Sequence, residues 1–419
     1  MSIWESNFLV KLPWYGGMEE EPHAKRQRTS SVGPEDVLSE AEIAAELAPQ
    51  TDDDEDVAYL DAEPDSAEWE DLDAADWDDP MMASEYVADI QRHLKEVELT
   101  TLPPRNYMAS QTALTWDMRA SSTTSSSRFV HTRFHLLPET LFLSTHLIDR
   151  FLSLRAVAPG KLQLVGMACL LLASKYEETV SPAIANFTQI SDGAFSNAEM
   201  QQAEQHVLRT LGWDLSYPSP MHWLRRVSKA EGYQTQTRQL GKYLAEIVLV
   251  EERLVGTPPS LLAAAAMWLA RLALGEGDWL PASSTAAKDD DEDATVTAPK
   301  RAYVLWTPTL AYYATYAEAE LLPAARHMLR YVLQPVRHES FYRKWAGKRN
   351  MKVSVYMREW ALARWAEGSK PDLALELPAL KREMRALQVR KEREAEAKRA
   401  RGEVGAEGDG EEDGEDAEE

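Results

Sequence analysis

Between residues 84 and 366 the apolar side chains recur at spacings of three and four, the period of an α-helix. Ser84 is placed to cap a helix, and Tyr86, Ile90, His93, Leu94 and Val97 follow on one face, predicting an amphipathic helix that ends before Pro103-Pro104. Pro138-Glu139 opens a second run carrying Leu141, Leu147, Ile148, Phe151 and Leu152. After Pro159, the stretch from Leu162 to Tyr176 is apolar or small on every side, as expected of a helix surrounded by others. Asn197 to Leu211 reads as another amphipathic helix, closed by Gly212 where a left-handed cap is common. Proline starts, short loops and the lack of alternating valine-rich segments predict an all-α fold.

The layout then returns. Pro258-Pro259 opens a second small-residue helix, Leu261 to Leu274, with Leu162 mapping onto Leu261 at an offset of 99. His206-Val207-Leu208-Arg209 maps onto His327-Met328-Leu329-Arg330 at an offset of 121. The 22 additional residues are supplied by Gly275 to Lys300, whose centre is the acidic run after Lys288. Two copies of roughly 100 residues indicate a duplicated helical domain, since a solenoid stacks more and shorter repeats. Pro218 and Pro220 mark the join, giving expected divisions at 1–80, 81–217, 218–366 with its insertion near 275–300, and 367–419.

Charge alters the picture of the ends. Of 69 acidic side chains, fifteen fall in residues 51–80 and ten in residues 402–419, with no lysine or arginine in either block. Outside them 44 acidic side chains meet 45 basic ones, so the formal charge of −24 belongs to the flanks. Blocks of this kind repel themselves, and residues 1–80 and the C-terminal tail are expected to be disordered. The cluster Lys25-Arg26-Gln27-Arg28 is a short candidate nuclear import signal. A single cysteine, Cys169, excludes disulfide frameworks and thiolate zinc sites and fits a reducing compartment. No secretory signal is read at the start, and the longest uncharged apolar stretches have thirteen residues, short of the roughly 20 of a membrane span.

Enzyme signatures are missing: no phosphate-binding glycine loop, no His-Glu-x-x-His and no Gly-x-Ser-x-Gly are found. No cofactor or metal is expected. Residues 337–358 mix bases and aromatics (Arg337, His338, Phe341, Tyr342, Arg343, Lys344, Trp345), the chemistry of nucleic-acid binding, but the same pattern suits a helix that packs its aromatics and solvates its bases. Residues 378–401 alternate Lys/Arg with Glu and suggest a solvated charged helix. One difference between the copies stands out. Lys175 and Glu204 align with Leu274 and Ala325, so this pair distinguishes one copy. It is either a simple ion pair or part of a surface that only the first copy carries.

At these residues a resemblance becomes specific. Leu137-Pro138-Glu139-Thr140-Leu141, Ile148-Asp149-Arg150-Phe151-Leu152, Lys161-Leu162-Gln163-Leu164-Val165-Gly166 and Ala173-Ser174-Lys175-Tyr176-Glu177-Glu178 resemble the first cyclin box, in order and spacing. The likeness runs over roughly residues 80–366, and Tyr86-Val87, Asn106-Tyr107-Met108 and Arg337 to Tyr342 make it most similar to fungal B-type mitotic cyclins. The resemblance implies tandem five-helix domains that bind and activate a cyclin-dependent kinase at the G2/M transition, in nucleus and cytoplasm, without chemistry of their own and without a membrane. It implies that Lys175 and Glu204 clamp the kinase's regulatory helix, lysine donating to main-chain carbonyls and glutamate accepting main-chain N–H groups. Tyr86, Ile90 and His93 match the kinase-packing face of the N-terminal helix, and Tyr176 and Glu178 flank the clamp. Arg119 and Asp149 match an ion pair internal to the fold. A cyclin-fold factor binding nucleic acid through residues 337–358 is the alternative.

The sequence departs from that family where Met118-Arg119-Ala120 is followed by seven consecutive hydroxyl residues, Ser121 to Ser127, in place of an Ile, a Leu and a Trp. Losing three such side chains removes on the order of 5–8 kcal/mol of burial. Either the coding sequence is misread there or the protein lacks that helix. Of the patch on which cyclins dock Arg-x-Leu peptides only Met118 and Gln163 remain, so kinase substrates are expected to dock weakly. Arg-x-x-Leu, the family's destruction signal, is absent from the first 120 residues.

Overall fold

The computed structural model describes residues 69–79, 81–121, 133–191, 193–281 and 301–400. Most of the acidic block, the basic cluster at 25–28, the hydroxyl run beyond Ser121, the centre of the insertion and the acidic C-terminal tail lie outside the described residues.

Helix α1 (Val87–Thr100) precedes two successive five-helix arrays. The first contains α2 (Trp116–Ser121), α3 (Pro138–Leu154), α4 (Pro159–Glu177), α5 (Ile184–Ile190) and α6 (Asn197–Thr210). The second contains α7 (Pro220–Ala230), α8 (Thr235–Glu246), α9 (Pro259–Leu274), α10 (Pro308–Ala314) and α11 (Glu318–Leu333). Prolines occupy the first turns of α3, α4, α7, α9 and α10, where a missing N–H costs nothing. Ser196 and Glu199 cap α6 reciprocally. At its other end Gly212 adopts φ +64°, and the Trp213 N–H reaches the Leu208 carbonyl at 3.0 Å, closing the helix as the glycine suggests.

Each array wraps one buried helix. In the first, Leu164 to Ser174 of α4 are all buried, packed with Leu147, Phe151, Phe187, Met200 and Val207. In the second, the alanine-rich α9 plays that part, with Trp268 fully buried among α7, α8 and α11. The two cores are linked: Leu141 and Phe142 of α3 belong to the second core, and Tyr217 packs against both. Arg119 is the polar link. Its guanidinium pairs with Asp149 (2.6 and 2.9 Å) and donates across to the Leu249 carbonyl (2.6 Å), while the Tyr107 hydroxyl donates to Asp149 (2.7 Å).

Four expectations change. Ser84 does not cap α1; it lies in a 3₁₀ turn, Ser84–Tyr86, entered through Ala83 at φ 47°. The base of the insertion is a two-stranded antiparallel hairpin, β1 (Asp278–Pro281) with β2 (Arg301–Val304), an addition to an otherwise helical fold. Residues 69–76, expected to be structureless, lie against the second array. Finally, the charged helix α14 (Leu373–Ala400) is not simply solvated: Leu373, Leu380 and Met384 are buried in the second core, against α9 and α11. Between α11 and α14 lie α12 (Glu339–Ala346) and α13 (Val353–Leu362). Among the described residues no helix is long and apolar enough to cross a membrane.

Candidate functional site

Lys175 stands in the last turn of α4, where the helix carbonyls favour a cation, and projects from a helix otherwise buried to Ser174. Glu204 lies midway along α6. The structure brings them together: the Lys175 ammonium donates to the Glu204 carboxylate, with the lysine 45% exposed and the glutamate 13%. With its lysine end in water, the pair contributes little to stability. The equivalent positions in the second array are apolar and less exposed. Leu274 packs against the second core and Ala325 is fully buried. The difference in residue type is therefore matched by a difference in exposure.

Beside the pair, Tyr176 is exposed at the end of α4. Glu178 turns back into the fold, its carboxylate accepting the Leu137 N–H at 2.7 Å and the Thr140 hydroxyl at 2.5 Å. It thereby caps the start of α3, a duty that the family pattern did not indicate. Burial, reinforced by Glu139 and Glu178, pushes the neighbouring Glu177 carboxyl above its ordinary range.

Helix α1 shows two faces where the sequence suggested one. Leu94 packs against the second core, and Glu98 is buried, accepting the Ser260 N–H (3.0 Å) and hydroxyl (2.6 Å). Lys95 donates to the hydroxyls of Ser260 and Tyr316, 2.9 Å each. Desolvation raises the Glu98 pKa, with Lys95 and Ser260 opposing the rise. Tyr86, Ile90 and His93, spaced by four and three, stay exposed on another face. A helical period does not distinguish an apolar face that enters a core from one left on the surface.

Met118 and Gln163 are both exposed, on α2 and α4. The basic and aromatic segment 337–358 resolves toward packing: Phe341 and Trp345 are buried, Lys344 pairs with Glu246 at 2.7 Å, Arg343 with Glu339 at 2.7 Å, and Arg358 donates to the carbonyls of Val332 (2.9 Å) and Gln334 (2.7 Å). Three of its seven lysine and arginine side chains, Arg343, Lys344 and Arg358, are thus engaged within the chain. Residues that the sequence reading passed over include Trp77, Met81 and Met82, exposed apolar side chains just before α1. Their signal was present, since aromatics and methionines interrupt an acidic block that would otherwise have no reason to hold them.

Residues 89–216 match the family model described as "Cyclin, N-terminal domain", and residues 218–359 match "Cyclin, C-terminal domain". The chain is 45% identical over 297 residues to the G2/mitotic-specific cyclin cdc13 of Schizosaccharomyces pombe, covering 71% of this chain and 56% of the relative. It is 47% identical over 291 residues to the G2/mitotic-specific cyclin-B of Emericella nidulans, with 70% and 55% covered. To the G2/mitotic-specific cyclin-2 of Saccharomyces cerevisiae it is 40% identical over 303 residues, with 70% and 54% covered. The chain thus spans just over half the length of these curated relatives.

Proposed function

We propose that this chain, which belongs to the cyclin family, is a regulatory subunit that binds a cyclin-dependent serine/threonine kinase and activates it at the G2/M transition and in mitosis. The observation that carries this reading is the surface Lys175–Glu204 pair, with its lysine exposed, set in the first array where the second has apolar residues. In the unbound chain each charge satisfies the other. On binding, the lysine donates to carbonyls at an exposed helix terminus of the kinase and the glutamate accepts main-chain N–H groups, exchanging one exposed ion pair for several directed bonds.

Tyr86 just before α1 and Ile90 and His93 on it, with Tyr176 beside the clamp, supply apolar and aromatic contact area, and Glu178 acts indirectly by holding the start of α3. The chain performs no bond-making step. It favours the kinase arrangement in which the regulatory helix is seated, and activity follows from that shift in population. Substrate docking through Met118 and Gln163 contributes little. The test is co-purification with a mitotic cyclin-dependent kinase and assay of its activity: Lys175→Glu or Glu204→Lys is expected to abolish both while the helical circular dichroism is unchanged. Undiminished kinase binding by both variants would reject the clamp.

A further inference from the structure

A groove on the second array is filled by the chain's own acidic segment, and its chemistry is specific. The Trp69 ring stacks on Tyr312, with centroids 3.5 Å apart and planes within 9°. Two hydroxyls then accept from the backbone of the segment: Thr309 from the Glu70 N–H at 3.2 Å and Tyr313 from the Leu72 N–H at 2.8 Å. Asp73 follows, four residues after the tryptophan. Arg226 grips both of its oxygens at 2.7 and 2.6 Å, and Lys229 donates to one at 2.8 Å. Lys229 also reaches Asp76 at 2.5 Å. The Arg226 guanidinium lies over the Tyr313 ring, 4.3 Å from its centroid.

These are not loose surface ion pairs. The side chains of Arg226 and Lys229 are 14% and 13% exposed and that of Asp73 is 19%, so a cation here has little water to fall back on. The bidentate arrangement fixes direction as well as charge. Burial works against the Asp73 carboxylate, yet its bonds to Arg226 and Lys229 prevail and hold its pKa below the ordinary value. The groove thus reads an aromatic ring, two backbone N–H groups and an acid, in that order, along α10 and α7.

Position gives the contact its consequence. Ten residues separate Asp76 from Val87, the first residue of α1, and they include the exposed Trp77, Met81 and Met82. At the other end of α1, Lys95 and Glu98 bind α9 through Ser260. The helix is therefore tied to the second array on both sides of its exposed Tyr86–Ile90–His93 face.

The geometry points to a peptide-docking groove formed by Arg226, Lys229, Thr309, Tyr312 and Tyr313, whose occupant is this chain's own Trp69–Asp76 strap and whose occupation positions the exposed face of α1 for its partner. The last part rests on the kinase-binding reading above. The groove itself does not.

Three measurements on the full chain separate these. Amide hydrogen exchange follows the N–H groups of Glu70 and Leu72: in Asp73→Arg their protection is expected to fall at least tenfold, and in the swap Asp73→Arg with Arg226→Asp it is expected to recover. Second, a fluorescent peptide of residues 66–79 is expected to bind saturably to the Asp73→Arg chain, whose groove is vacated, and at least tenfold more weakly once Arg226→Asp is added. Third, kinase affinity is expected to drop about tenfold in Asp73→Arg and to return in the swap. Unchanged exchange in Asp73→Arg, or peptide binding indifferent to Arg226→Asp, would overturn the groove. Lost protection with unchanged kinase affinity would overturn the positioning role. If the wild-type chain bound no kinase, the reading of function would fail while the first two measurements still judged the groove.

Discussion

The two arrays share a layout but treat the same corner differently. In the first, the exposed lysine at the end of α4 meets a carboxylate midway along α6 at the surface. In the second, α9 and α11 carry Leu274 and Ala325 there, and α14 lies against both helices with Leu373, Leu380 and Met384 buried. One copy supplies its own covering helix; the other leaves charged side chains at an open one. Duplication thus provided two equivalent scaffolds that differ in the residues at this corner.

Exchanging residues between the copies gives the sharpest tests. Ala325→Glu, which puts the first array's residue into the second, buries an unpaired carboxylate and is expected to cost about 3–5 kcal/mol, read as a fall in the denaturant midpoint. A smaller effect is expected on thinning the cover. Met384→Ala, at a side chain 4% exposed, should lose about 2–3 kcal/mol and loosen α14, with the Lys175–Glu204 end unaffected in amide exchange.

Acid should weaken both arrays through one buried and one half-buried histidine. Desolvation, then Arg150, holds His146 well below the ordinary imidazole pKa of 6.5. His327, aligned with His206, is pushed down to about 4 by desolvation and by Arg326, Arg330, Arg253 and Arg105. The unfolded chain therefore binds protons below about pH 6.5 that the folded chain refuses. Their contribution is complete above that pH and declines as pH falls toward the folded values, at no more than about 1.4 kcal/mol per pH unit for each group. Thermal melts between pH 7.5 and 5 should show the decline, and His146→Phe should flatten it; an unaltered slope would remove His146 from the account.

The smallest stability effect is expected where the functional one is largest. Glu204→Ala gives the first array the second's residue and should change stability by less than about 1 kcal/mol, because the lysine of the pair is solvated. Its kinase binding should nevertheless be lost. A stability loss comparable to that of Ala325→Glu would mean that the pair serves the fold.

Much of the scaffold was legible in one dimension. Proline starts, Gly212 and the predominantly apolar runs at 162–174 and 261–274 announced α3, α4, α6 and α9, since backbone rules act locally. The Lys175–Glu204 position was legible too, because a duplicated sequence carries its own control. The strap was not, as composition averaged over residues 51–80 hides Trp69 and Leu72 among fifteen acids. Neither was the docking of α14, because three apolar residues spaced over twelve positions give a faint period amid charges.

What the sequence by itself determined is the helical class, the duplication with its insertion, and the one position where the copies part in chemistry. These follow from backbone preference and from comparison within the chain, neither of which needs a neighbour in space. Tertiary structure alone decided that Tyr86, Ile90 and His93 face outward while Leu94 and Glu98 of the same helix face in, that Glu178 caps α3, and that Asp73 lies on Arg226 and Lys229. Such outcomes depend on which surface happens to find a partner 40 to 240 residues away, and periodicity along the chain carries no record of that distance.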